Sequence, residues 1–120
     1  MSYDLPRTTL GRTGLEVTRL GIGGAYCESA DGYRQALDTG VNYVDTARGY
    51  LDGKDEKYIG EAIQGRRDEL VVATKSGARD AEGLRKDLET SLRLLQTDRI
   101  DIYQLHHLNT AEHREQALGP

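Results

Sequence analysis

Short apolar runs alternate with longer amphipathic ones along this chain, and glycines separate them. Val41–Val44, Leu70–Thr74 and Ile100–Leu105 are rich in β-branched and aromatic residues and more continuous than alternating. Strands buried on both faces of a parallel sheet read this way, because neither face is left to water. A fourth such run, Thr18–Gly23, comes earlier. Between the runs, Leu84, Leu88, Leu92 and Leu95 fall on one stripe, with Arg85, Lys86, Asp87, Glu89 and Arg93 on the other faces. That spacing predicts an amphipathic helix. Tyr58, Ile59, Ala62 and Ile63 give a second stripe ended by Gly65, and Tyr33, Ala36 and Leu37 a shorter one ended by Gly40. Both glycines suit left-handed caps. Thr110 can cap a fourth helix with Glu112 in its first turn. Upstream, Thr8–Leu10, Gly11–Gly14 and Leu15–Val17 read as strand, turn and strand of a small β-hairpin.

The predicted order is therefore β-α-β-α-β-α-β, with a repeat near the ~30 residues of a βαβ unit. A doubly wound sheet and a (β/α)8 barrel both begin like this, and four strands do not decide between them. No linker or low-complexity tract divides the 120 residues, so one α/β unit is expected. The formal charge is −4 with the basic residues scattered, which gives no footprint for nucleic acid. No run approaches the ~18 apolar residues of a membrane span, and the first residues lack the apolar centre of a signal peptide. Cys27 is alone, so neither an internal disulfide nor a cysteine zinc site can form, and it reads as a small semi-buried side chain. A soluble, cytoplasmic protein with no metal, membrane or nucleic-acid partner is the expectation.

Polar residues at the strand ends carry the chemistry. Asp45 closes one apolar run, Lys75 the next and His106 the last, at intervals matching the strand repeat. Three ionisable side chains would then share the C-terminal rim of neighbouring parallel strands, where α/β active sites are built. Tyr50 lies in the loop beyond Asp45 and would reach the same rim. Taken singly, each has an ordinary role: a turn cap, a solvated lysine, a packed histidine, a pocket wall. Together they suit carbonyl reduction, which needs a hydride at carbon and a proton at oxygen. A phenol is a weak acid whose phenolate a neighbouring cation stabilises. Lys75 can be that cation, Asp45 can hold it, and a neutral His106 can orient the substrate oxygen.

Asp45-Thr46-Ala47-Arg48-Gly49-Tyr50, followed by Glu56-Lys57-Tyr58-Ile59-Gly60, resembles the aldo-keto reductase signature after the second barrel strand. Val72-Ala73-Thr74-Lys75 resembles the lysine-bearing third strand, and Thr97 through His106 the next one. Leu10–Leu15 and Leu20–Gly24 are similar to the family's hairpin plug and first strand. The resemblance implies the N-terminal half of a (β/α)8 TIM barrel, with Tyr50 as proton donor, Lys75 and Asp45 as its tuning pair and His106 as the orienting group. It also implies that Gly23, Gly24 and Asp45 lie beside the nicotinamide ribose of NADPH, with NADH the lesser alternative. His107 rivals His106 but has the opposite strand parity. Gly21-Ile22-Gly23-Gly24 is not a dinucleotide fingerprint, since the third spaced glycine would fall at Tyr26. Close backbone approach at a strand end is its plainer reading.

A complete (β/α)8 barrel takes about 250 residues, so a truncated barrel is expected, lacking most of the cofactor site. The expected function is NAD(P)H-dependent reduction of a small aldehyde or ketone in a full-length parent, with this chain inactive by itself. The alternatives are a non-catalytic nucleotide-binding barrel subunit and an inert gene product. Val71, Ala73, Ile100 and Ile102 are the expected inner-face residues, and open sheet edges are expected to drive self-association.

Overall fold

A computed structural model describes residues 2–118. Strands β1 (Arg7–Thr9) and β2 (Glu16–Thr18) pair antiparallel as the hairpin, with Thr8 opposite Val17. The hairpin docks on the sheet through Asn42, whose Oδ1 accepts from the Thr18 amide at 2.6 Å and whose Nδ2 donates to the Glu16 carbonyl at 2.9 Å. Because β2 takes Thr18, the following strand shrinks to β3 (Ile22–Gly23) rather than running from residue 18.

The main sheet is parallel, in the order β3, β4 (Tyr43–Asp45), β5 (Val71–Ser76), β6 (Ile102–Leu105). Helices α1 (Ala30–Asp38), α2 (Asp55–Ala62) and α3 (Ala81–Leu95) fill the connections, and α4 (Ala111–Leu118) follows β6. Tyr33 and Leu37 of α1, Ile59 and Ala62 of α2, and Leu95 of α3 all pack with Val44 and Val72 in one core. Strand order thus follows chain order, and the three packed helices meet a single face of the sheet. A doubly wound sheet reverses its strand order and carries helices on both faces, so this is a barrel arrangement.

The caps follow from sequence. Ser29 accepts from the Gly32 amide to start α1, Asp80 accepts from Gly83 to start α3, and Thr110 accepts from His113 to start α4. Gly40 and Gly65 take φ of 105° and 79°, the left-handed conformation expected of them.

Register assigns the faces. Val72 packs toward the helices, so Val71, Ala73 and Lys75 face the opposite, inner side, with Ile102 beside Ala73 and Gln104 beside Lys75. Ile100 does not join them; it packs against the helix-side core. The reason lies at Asp101, whose Oδ2 accepts the Val72 amide and an Arg67 N–H, both at 2.8 Å. That side chain bends the backbone before β6 begins, so strand parity does not extend back to Ile100.

Candidate active site

Past Asp45 the chain continues along β5 for three more residues: the Thr46 amide donates to the Ala73 carbonyl and the Arg48 amide to that of Lys75, each at 2.9 Å. This carries Tyr50 onto the rim. The backbone then turns sharply through Leu51, Asp52 and Gly53, with φ of 51°, 53° and 84°, before α2 starts. Two non-glycine residues in this region cost about 1–2 kcal/mol each. Buried polar contacts hold the turn. Arg48 pairs with Glu56 and donates to the Gly53 carbonyl at 3.3 Å.

Asp55 and Glu56, the first residues of α2, are both fully buried. Thr46 Oγ1 and the Tyr33 hydroxyl donate to Asp55, while Thr74 Oγ1 joins Arg48 on Glu56. Burial and the Asp55 hydrogen bond push the Tyr33 phenol strongly upward, so it remains a donor. Gly24 closes this layer. Its amide donates to the Asp45 carbonyl at 2.7 Å, and a Cβ there would lie 2.4 Å from Asp55 Oδ2 and 3.0 Å from the Tyr50 ring.

Asp45, Tyr50, Lys75 and His106 converge on one rim. Lys75 Nζ donates to Asp45 Oδ2 and to the Thr46 carbonyl, both at 2.7 Å, and lies 5.0 Å from the centre of the Tyr50 ring. His106 meets that ring edge-on, with centroids 5.7 Å apart. Contact with Tyr50 is through its ring: among the described residues no hydrogen bond joins its hydroxyl to Lys75 or His106. His107 takes φ of 57° and stacks on His106 at 3.8 Å, so His106 is the imidazole that faces Tyr50. Burial is the main cause that lowers the His106 pKa; His107, Lys75 and Arg79 add to it and Asp45 opposes it. The shift favours the neutral imidazole.

A cleft of about 410 Å³ opens beside Tyr50, His106 and His107, with Gly49, Gly77 and Ala78 as small wall residues. Larger clefts of about 510 and 580 Å³ lie at the hairpin end, around Arg7 and Asp68 and around Leu10 and Tyr43. Neither contains any of the four rim residues. Gly23, exposed at the end of β3, has open space where a Cβ would stand, unlike Gly24.

Asp55 and Arg79 join the site without a place in the strand-end pattern, and Tyr33, expected only on the apolar stripe of its helix, also donates to Asp55. A signal existed for Asp55 and Glu56, since they precede Ile59 by four and three residues and share the buried stripe of α2. A carboxylate on a buried stripe needs a polar partner. Arg79 binds backbone carbonyls, and these leave no mark in a sequence.

The Aldo/keto reductase family model matches residues 21–119. The Bacillus subtilis aldo-keto reductase YhdN is 37% identical over 122 residues, covering 82% of this chain and 37% of its own length. The B. subtilis oxidoreductase YrpG is 40% identical, with 85% and 40% covered. Among solved structures, the holo form of a Bacillus halodurans aldo-keto reductase matches with a TM-score of 0.77 and 34% identity, over 84% of this chain and 40% of that one. A Klebsiella pneumoniae aldo/keto reductase solved with NADP and acetate matches with a TM-score of 0.69 and 34% identity, over 77% and 36%. The chain spans about two fifths of the length of these relatives. With strand order, helix placement and sequence in agreement, the chain is the N-terminal part of a (β/α)8 barrel and belongs to the aldo/keto reductase family.

Proposed function

We propose that this chain supplies the proton-donating side of an NAD(P)H-dependent carbonyl reductase, with Tyr50 as the acid. The observation that carries the reading is the lysine that pairs with Asp45 while facing the Tyr50 ring, with His106 at its edge. The residues also suit a nicotinamide cofactor. Asp45 Oδ1 accepts no hydrogen bond from the described residues, and Gly23 beside it is open, which leaves an acceptor and room for a ribose hydroxyl. Complexes of a related reductase with NADP and NADPH favour the phosphorylated cofactor. That cofactor, when bound, supplies the hydride that reduces the carbonyl carbon.

The chain's own residues handle the oxygen. His106, neutral, donates an N–H to the carbonyl oxygen and fixes its position. Tyr50 gives its hydroxyl proton to that oxygen as the C–H bond forms, so the product is an alcohol. The negative charge left on the Tyr50 oxygen is stabilised by Lys75, which Asp45 keeps charged and in place and which moves from the ring onto the hydroxyl as the loaded site tightens, until solvent returns a proton. The substrate is a small aldehyde or ketone that fits the cleft beside Tyr50, and the cytoplasm suits a chain with one unpaired cysteine.

The sheet of four strands has two open edges and lacks the far wall of a barrel, so the chain alone should not turn over. The test joins residues 2–118 to the part of the B. halodurans reductase that the match leaves uncovered. This fusion should oxidise NADPH with a small aldehyde or ketone, and NADH more slowly. A folded fusion without turnover on any aldehyde or ketone would contradict the proposal.

A further inference from the structure

We infer that Arg79 is a positioning residue for His106, acting through the backbone at the end of β6; its catalytic meaning rests on the function proposed above. Arg79 leaves the loop between β5 and α3, and its Nη2 donates to the His106 carbonyl at 2.6 Å and to the His107 carbonyl at 3.0 Å. Its Nη1 donates to the Ala78 carbonyl at 3.1 Å. One guanidinium thus ties the loop to two consecutive peptides of the neighbouring strand end.

Those two peptides need such a tie. His107 adopts φ of 57°, a left-handed conformation that a side chain with a Cβ disfavours, and the reversal there turns the two imidazoles into a stack. The His106 amide is anchored on the other side by the Ser76 carbonyl at 2.8 Å. Ser76 is itself fixed through Asp87, and its Oγ accepts the Ala78 amide at 3.0 Å. His106 is therefore gripped by Ser76 through its N–H and by Arg79 through its C=O. The orientation that presents its ring edge to Tyr50 depends on both grips. Both bonds to the strand end come from Nη2 while Nη1 holds the Ala78 carbonyl, so the guanidinium grips three carbonyls from two coplanar nitrogens, an arrangement that a single ammonium nitrogen cannot reproduce.

Tyr50 and His107 contact the His106 ring, and the charges of Lys75, Asp45, His107 and Arg79 act on it, so a change of charge at Arg79 also acts directly on its titration. Two variants separate geometry from charge. Arg79→Lys keeps the cation and loses the pair of coplanar nitrogens that hold three carbonyls at once, and Arg79→Gln loses both.

Hydrogen–deuterium exchange of the chain itself, read by mass spectrometry, follows the His106 amide. Both variants should speed exchange in peptides covering residues 102–109 by about tenfold or more, while peptides covering 55–76 keep their rates. In the fusion, both should lower kcat by roughly 10–100-fold with KM for the aldehyde little changed, since a misplaced orienting group acts mainly on the chemical step. Unchanged exchange, fast exchange with unchanged kcat, or full rescue by lysine would each overturn the inference. Exchange needs no turnover, so a fusion inactive on every carbonyl would remove the proposed function and leave the backbone clamp to be judged by exchange alone.

Discussion

Gly23 and Gly24 are adjacent and chemically identical, yet the structure gives them opposite tolerances. At Gly24 an added methyl meets the Asp55 carboxylate and the Asp45 carbonyl at 2.4 and 2.8 Å, neither of which can retreat without unpairing a buried group. Gly24→Ala should destabilise by about 1–3 kcal/mol, the range for overpacking a filled site, as read from urea unfolding midpoints. At Gly23 the same methyl meets nothing within 4 Å. Gly23→Ala should leave stability within about 0.5 kcal/mol while weakening NADPH binding in the fusion. Equal stability losses at both positions would contradict the close approach described for Gly24. The meeting of Asp45, Lys75 and His106 on one rim was legible because polar strand ends recur with the strand repeat, and Tyr50 joined them as the loop residue just beyond Asp45. The clash that explains Gly24 was not, because it depends on Asp55 arriving from another element.

His106 gives a pH-dependent signature at the same scale. Its folded pKa lies below the ordinary imidazole value near ~6.5, so between the two values the unfolded chain holds a proton that the folded chain resists. Its contribution is therefore neutral above that pH and becomes destabilising as pH falls through it. Unfolding midpoints between pH 7.5 and 5 should fall less steeply for His106→Gln than for the parent. Parallel profiles would place His106 outside this effect.

At the scale of elements, the contact between α2 and α3 is set by Gly60. A Cβ there would lie 2.2 Å from the Leu94 carbonyl oxygen and 2.8 Å from Leu95 Cα. Glycine inside a helix normally costs up to about 1 kcal/mol relative to alanine, so Gly60→Ala would stabilise an isolated α2. Here the helices must separate to admit a methyl, a cost of about 1–3 kcal/mol that outweighs the propensity gain. Thermal unfolding should show a lower midpoint for the variant, and a higher one would mean that the helices are not in close contact. Arg48→Met tests the neighbouring layer. It leaves buried Glu56 with Thr74 alone, and breaking such a pair costs about 3–5 kcal/mol; the lower end applies because Arg48 keeps partial contact with water. Hydrophobic spacing made the helices legible, and the bend at Asp101 that diverts Ile100 shows where such reasoning stops. A side chain that substitutes for a strand's backbone donor or acceptor changes the face without changing the pattern.

Across the whole molecule, one feature governs behaviour in solution. β3 and β6 each pair on one side only, so both present unsatisfied backbone N–H and C=O groups along an edge. Leu20 and Tyr26 stand exposed near the β3 edge, which adds apolar surface to it. Such edges pair with further strands when none is supplied in the same chain. The 120-residue chain should therefore run as a dimer or larger species in size-exclusion chromatography with light scattering, and the fusion should not associate through these edges. A chain that stays monomeric at high concentration would mean that its edges are protected.

Proton donation by Tyr50 in carbonyl reduction is open to single-turnover kinetics of the fusion. Loss of nicotinamide fluorescence reports hydride transfer without interference from product release. Tyr50→Phe keeps the ring that contacts Lys75 and His106 and removes only the acidic hydrogen. The single-turnover rate should fall by about 10²–10⁴-fold, with NADPH affinity little changed. A rate equal to that of the parent fusion would contradict this role and leave Tyr50 as a wall of the cleft.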